Sequence, residues 1–174
     1  MSKGISEDIC EEKVFERLYN KLGQDLQNFL YYKFGSQINV DDKTQEAFIK
    51  LWDNCKKVRL PKAKSFLFTV ANNLVLNELK HQKVVLKNQQ QSEQKYTYET
   101  PEFILEKEQF AERYQKVLES LTEDQRVAFL LSKAEGKTHK EIAQMLNVTQ
   151  KVVEYRIYSA FNILREKLEA FRKK

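Results

Sequence analysis

The sequence is poor in the two residues that interrupt helices. It holds 4 Gly and 2 Pro in 174 positions, too few for the tight turns of a sandwich or barrel, and this excludes a strand-rich fold in favour of an all-α one. Cysteine is scarce too. Cys10 and Cys55 form no Cys-x-x-Cys pair, and His81 and His139 are remote from both, so free thiols are expected rather than a disulfide or a zinc site. Long apolar runs are missing. None approaches a membrane span, and the opening MSKGISEDIC contains no hydrophobic signal segment, which points to the cytoplasm. No Ser/His/Asp set, glycine-rich phosphate loop or metal-ligand cluster is visible, so an enzyme has no support and neither cofactor, metal nor small-molecule substrate is expected.

Charge, by contrast, is plentiful. Charged residues make up 32% of the chain and hydrophobic ones 41%, with a formal net charge of +5 and a pI of about 9.0; this balance is compatible with nucleic acid without requiring it. Its placement is more informative than its sum. Asp41, Asp42, Glu46 and Asp53 outnumber Lys43 and Lys50, whereas Lys62, Lys64, Lys80, Lys83 and Lys87 face Glu78 alone. Such asymmetry implies two surfaces for two partners.

The segment THKEIAQMLNVTQKVVEYRIYSAFNILREKL, residues 138–168, carries the sharpest local pattern. Ile142, Ala143 and Leu146, then Val152, Val153, Ile157, Ala160, Phe161 and Leu164, recur at helical spacing in two blocks. Between them Asn147 tolerates the left-handed conformation of a sharp turn, and Thr149 can cap the second helix. Two helices so joined make a helix-turn-helix, with Gln150, Lys151, Glu154, Tyr155 and Arg156 expected to face outward where base edges and phosphates are read. A helical hairpin with a merely solvated charged face has the same spacing.

Earlier in the chain, Ser6 with Glu7 and Asp8 reads as a capped helix start, followed by Phe15, Leu18, Leu22, Leu26 and Phe29 in register. Gly23 leaves open one long helix or two with a bend, and Gly35 closes the segment. Asp41 or Asp42 is the expected cap of a second helix whose stripe is Thr44, Phe48, Leu51 and Cys55, with Ala47 and Trp52 beside it. After the loop KKVRLP comes a third helix, with Phe66, Leu67, Val70, Ala71, Leu74 and Leu79 inward and Asn72, Asn73, Asn77 and Lys80 outward. Periodicity fades in KNQQQSEQKYTYET, read as a flexible interdomain linker. Phe110, Tyr114, Val117 and Leu121 mark another helix, and Thr122 with Gln125 makes a capping box for the helix of Val127, Phe129, Leu130 and Leu131. The expected organisation is a helical domain over 1–83, a linker over 84–105, and a helix-turn-helix domain over 106–174.

Two stretches in this order resemble the sigma-70 family of bacterial transcription initiation factors, in particular its small extracytoplasmic-function (ECF) subgroup. DDKTQEAFIKLWDN with PKAKSFLFTVANNLVLNELKHQK looks like the family's second conserved region, and LTEDQRVAFLLSKAEGKTHKEIAQMLNVTQKVVEYRIYSAFNILREKL like its fourth. The resemblance implies a sigma factor that binds core RNA polymerase, recognises promoter DNA and helps melt it. Asp41, Asp42, Gln45 and Glu46 become the implied polymerase contacts, with Phe48 and Trp52 assigned to the core. Lys62, Lys64, Asn72, Asn73, Asn77 and Lys80 become the implied minus-10 element, where cations follow an opened strand and the loop around residues 56–60 receives an extruded base. Phe66 and Phe68 are read as core rather than stacking platforms. Thr149, Gln150, Lys151, Glu154, Tyr155, Arg156 and Ser159 become the implied reader of the minus-35 motif.

Three departures stand out: Thr122 where the family often has Pro, Asn147 where it has Gly, and Asn72 where it has Arg. The first two keep the mechanics, since Thr caps and Asn tolerates the turn; the third removes a charge near the strand-separating surface, so promoter specificity does not carry over. The family analogy further implies an anti-sigma factor as partner and a monomer when free. The competing reading is a dimeric helix-turn-helix regulator with a helical sensor domain, acting apart from polymerase.

Overall fold

The computed structural model describes residues 8–86 and 102–172, and among them every regular element is helical. A first bundle comprises α1 (Glu12–Phe34), a 3-10 turn (Gly35–Gln37), α2 (Val40–Asp53) and α3 (Leu60–Leu86). A second comprises α4 (Glu102–Glu119), α5 (Glu123–Lys133), α6 (His139–Leu146) and α7 (Gln150–Arg172). The expected linker therefore overlaps helix at both ends, and residues 87–101 lie outside the described ones. No described helix is long and apolar enough to cross a membrane.

Local chemistry accounts for where each helix starts and stops. Helix α1 is unbroken through Gly23, because Leu22, Leu26, Phe29 and Leu30 bury a continuous apolar stripe on both sides of it. The expected cap at Ser6 lies outside the described residues, and the helix begins at Glu12 without a side-chain cap. For α2 the cap is neither Asp41 nor Asp42. Asn39 takes that place, its side-chain oxygen accepting from the Asp42 amide at 3.2 Å, which leaves both acids in the first turn beside the positive end of the helix dipole. Thr122 and Thr138 each form a complete capping box, with Gln125 and Glu141. Asn147 adopts the left-handed conformation at φ 53° and ψ 46°, and Gly136 reaches φ 64° between α5 and α6.

A disulfide joins Cys10 to Cys55, which corrects the expectation of free thiols. Proximity along the chain was the wrong guide. Ile9 is buried in the core, which seats its neighbour Cys10 where α2 ends, beside Cys55. Tying ends 45 residues apart removes unfolded-chain entropy worth about 4 kcal/mol in the loop-closure model.

The two bundles pack on each other, α1 against α5 and α3 against α6, and their buried side chains belong to one hydrophobic cluster. The links across this contact are polar. Arg126 donates to the carbonyls of Tyr32 at 3.1 Å and Lys33 at 3.4 Å, at the end of α1 where carbonyls lack helical partners. Lys33 pairs with Glu123 at 2.9 Å and Lys137 with Asp25 at 2.7 Å. The Tyr32 hydroxyl bonds the Glu135 carboxylate. Burial first, then Glu135, pushes the Tyr32 phenol up to about 12.

Two outcomes follow from this packing. A Cβ at Gly23 would meet nothing within 4 Å, so Gly23→Ala should stabilise the fold by about 0.5–1 kcal/mol and raise the thermal midpoint by roughly 2–3 °C. Arg126→Ala should cost about 1–2 kcal/mol at the contact between bundles, seen as faster amide exchange at the end of α1 and a larger radius of gyration in X-ray scattering.

Candidate nucleic-acid interface

Helix α3 divides its circumference between two environments. Ala63, Leu67, Phe68, Ala71 and Val75 are buried and fall on one side at 100° per residue. On the opposite side Lys62, Asn73, Asn77 and Lys80 lie within roughly 60° of arc, and all four are exposed. The sequence-based set thus splits. Lys64 and Asn72 are off this face: Lys64 is partly buried, and Asn72 holds a buried side-chain oxygen with no partner. Desolvation lowers the Lys64 pKa, and the nearby Asp25 and Glu141 carboxylates oppose that shift. Lys64 therefore belongs to the contact between bundles. Phe68 is fully buried and meets Phe29 in a tilted ring contact at 5.2 Å, whereas Phe66 is only partly buried.

At the foot of the polar face lies an open cavity of ≈ 480 Å³, walled by Lys57, Val58, Arg59, Lys62 and Phe66. It is built by the loop that the sequence marks as a base pocket. Three cations and an aromatic edge suit a phosphate-bearing, unstacked base. The loop holds its shape through turns, the amides of Lys57 and Val58 both donating to the Asn54 carbonyl at 2.8 and 3.0 Å. Asn147, from the turn between α6 and α7, also lines the cavity, so the second bundle stands at its rim.

Helix α7 places Val153, Ile157, Ala160 and Leu164 in the core. The Thr149 hydroxyl accepts from the Val152 amide at 3.3 Å, capping the helix. Gln150, Lys151, Glu154 and Tyr155 are exposed together at its start, Tyr155 to 71%. Two expected members turn elsewhere. Arg156 pairs with Asp124 at 2.6 Å, and Ser159 accepts from the Gln125 side chain at 2.8 Å. Both sit on the flank of the inward stripe, where the helical period points them at α5. Tyr158, exposed next to Tyr155, was not singled out from the sequence, because alternating apolar and polar residues hid it among core positions.

The acidic face of α2 is likewise only partly as expected. Asp41, Asp42 and Gln45 are exposed, with Asp41 accepting from the Gln27 amide at 2.8 Å. Glu46 is engaged by Lys43 at 2.9 Å, which also reaches Glu78 at 2.7 Å; those two carboxylates, Glu78 first, raise the Lys43 pKa. Phe48 is core, but Trp52 is 43% exposed and Ile49 59%. With Tyr19 and Phe15 they form a shallow apolar hollow of ≈ 330 Å³ among the acids, and Trp52 meets Phe15 edge-on at 4.9 Å. Ile49 and Tyr19 lie off the inward stripes that the sequence gives for α2 and α1, whereas Trp52, expected in the core, is half-exposed. A further apolar groove runs beside α4 and α7 past Phe110, Tyr114 and Phe161, where Phe110 and Phe161 are exposed rather than inward.

Comparison with known proteins bears on both halves. The model for sigma-70 region 2 matches residues 18–84, and that for sigma-70 region 4 matches residues 111–163. Among characterised proteins, the ECF RNA polymerase sigma factor SigX of Bacillus subtilis (strain 168) is 22% identical over 168 residues, covering 92% of this chain and 87% of its own length. Among solved structures, the sigma factor RpoE of Bartonella quintana, crystallised with the anti-sigma factor NepR, shares the fold with a TM-score of 0.58 at 19% identity, covering 90% of this chain and 98% of that one. With both regions present in order across most of its length, the chain belongs to the sigma-70 family of RNA polymerase sigma factors.

Proposed function

We propose that this chain is a dissociable promoter-specificity subunit: it docks on core RNA polymerase through α2, holds the opened minus-10 strand on α3, and reads the minus-35 duplex with α7. The observation that carries the proposal is the conjunction on α3 of the exposed Lys62, Asn73, Asn77 and Lys80 with the cation-lined cavity at its foot. Melting needs such a place. A flipped base must be received while its phosphates are neutralised, and neither a duplex reader nor a packing helix requires a pocket beside a polar stripe. A self-sufficient dimeric regulator would have no use for a second, strand-holding region.

The acidic face supplies the polymerase contact. Gln45 lines the apolar hollow of Ile49 and Trp52, and Asp41 and Asp42 are exposed earlier on the same helix, so polar and acidic groups accompany a hydrophobic centre. Gln150, Lys151, Glu154 and Tyr155 supply amide, cationic, acceptor and aromatic groups toward a major groove. Motifs at minus 10 and minus 35 are about 25 base pairs apart, roughly 85 Å along the duplex. Two bundles in direct contact cannot read both. Promoter engagement thus requires the contact of α1 with α5 and of α3 with α6 to open, and binding to polymerase provides the energy. By family analogy an anti-sigma protein masks the polymerase-binding surface in the resting cell. The chain itself performs no catalytic step.

Run-off transcription with purified core polymerase on fragmented chromosomal DNA separates these roles. The intact chain should program specific transcripts. Asp42→Lys should abolish co-elution with core polymerase, by placing a cation at the acidic rim. Lys151→Ala should leave co-elution intact and weaken promoter binding by about 1–3 kcal/mol, roughly 5- to 160-fold. Failure of the intact chain to form any complex with core polymerase would refute the proposal.

A further inference from the structure

The sulfur pair is placed where it can control the strand-holding loop. Cys55 follows the C-cap of α2, Asn54, and lies in the turn, residues 54–59, that walls the cationic cavity at Lys57, Val58 and Arg59. Within that turn the backbone hydrogen bonds are local, from Cys55 to the Trp52 carbonyl and from Lys57 and Val58 to that of Asn54. The disulfide adds a covalent tie to a separate segment, fixed in turn by buried Ile9. Both cysteines are half-buried rather than sealed in the core, so a small thiol can reach them. They are the chain's 2 cysteines, so no other intramolecular pairing competes.

We propose that Cys10–Cys55 is a reversible thiol–disulfide site through which oxidation orders the promoter-opening loop, making the oxidised chain the more active form. The inference rests on the promoter-opening role given above to the cavity. A protein that works on the chromosome meets a reducing thiol pool, and disulfides in that setting are characteristically transient and redox-sensing. The exchange balances without further reactants. A thiolate from a low-molecular-weight thiol attacks one sulfur and gives a mixed disulfide, and a second thiol releases it. Two free cysteines and one disulfide of the reductant result, and the disulfide form of the same thiol reverses the sequence.

Reduction leaves Ile9 buried but frees the loop from its covalent tie. The pocket is then formed for a smaller fraction of the time, and activity falls with that fraction. The acidic face at the start of α2 is insulated from this change. Asp41 and Asp42 stand a 14-residue helix away, about 20 Å, so the charged part of the polymerase contact is insulated, whereas Trp52 lies beside Cys55 and its carbonyl accepts from the Cys55 amide.

The test uses the full chain equilibrated in reduced or oxidised glutathione, with three readouts. Alkylation and mass spectrometry should find no free thiol after oxidation and two after reduction. Amide exchange should quicken on reduction at residues 54–59 and be unchanged at the start of α2. Run-off transcription with core polymerase on fragmented chromosomal DNA, normalised to the chain that co-elutes with polymerase, should fall about threefold or more on reduction if the competent fraction drops to a third. Cys10→Ser/Cys55→Ser should behave as the reduced chain under both conditions. Two free thiols under oxidising glutathione would overturn the proposal, as would equal exchange at residues 54–59 in both states. Equal transcription from both forms would overturn it while leaving the sigma-factor role intact. Absence of any polymerase complex in either state would instead remove the role on which the site depends.

Discussion

A single helix that carries a dry core on one side and a polar, solvent-facing surface on the other is the constraint from which the rest of this structure follows. Ala63, Leu67, Phe68, Ala71 and Val75 fix α3 against α1 and α2. Their burial sets the rotation of the helix, and that rotation alone presents Lys62, Asn73, Asn77 and Lys80 together. Asn residues are poor helix formers. Their cost is met by the apolar stripe, which leaves the outer face free to be chosen for recognition rather than for helix stability. The polar face is precise because the core is close-packed and cannot rotate without opening voids.

How much of this was legible in the sequence depends on the range of the interaction involved. The capping boxes of Thr122 and Thr138 and the left-handed Asn147 are decided within four residues, and residue type and spacing identify two of these three directly. Helix periods give the stripe of α1 for the same reason, but those of α3 and α7 only in part, since Val152 and Phe161 are exposed and Ala63 and Val75 are buried instead of Phe66 and Leu74. Distant residues decide the rest. Arg156 is withdrawn from the reading face by Asp124, and Ser159 by Gln125, both on another helix. Lys64 is drawn into the bundle contact beside Asp25 and Glu141. Cys10 meets Cys55 only because Ile9 is buried. Trp52 shows the complementary failure, since apolar side chains at helical spacing look like core whether another helix covers them or not.

The contact between the bundles mixes permanence with ease of release. Each bundle has its own buried stripe, and the links across the seam are ion pairs and hydrogen bonds to main-chain carbonyls. Partly exposed ion pairs contribute little in water because solvent competes for both charges. The Lys33–Glu123 pair has its carboxylate side chain 48% exposed, so parting it restores hydration at once. Apolar contacts cross the seam as well, since the buried side chains of both bundles belong to one cluster, so a partner that separates the bundles must offer each a comparable surface.

Under the function proposed above, the contact between the bundles also keeps the two nucleic-acid faces from being presented together. Asn147 and the cavity share one rim, so the helix-turn-helix bundle stands beside the site proposed for a flipped base. In the closed chain a DNA strand approaching that cavity meets the turn of the other bundle as well as Lys57, Arg59 and Lys62. Opening exposes the cavity and lets α7 move to a motif tens of ångströms away in one motion. On that proposal the closed form suppresses stray binding by a basic protein to the vast excess of non-specific DNA, and the proposed binding faces become available in step with the partner that separates the bundles.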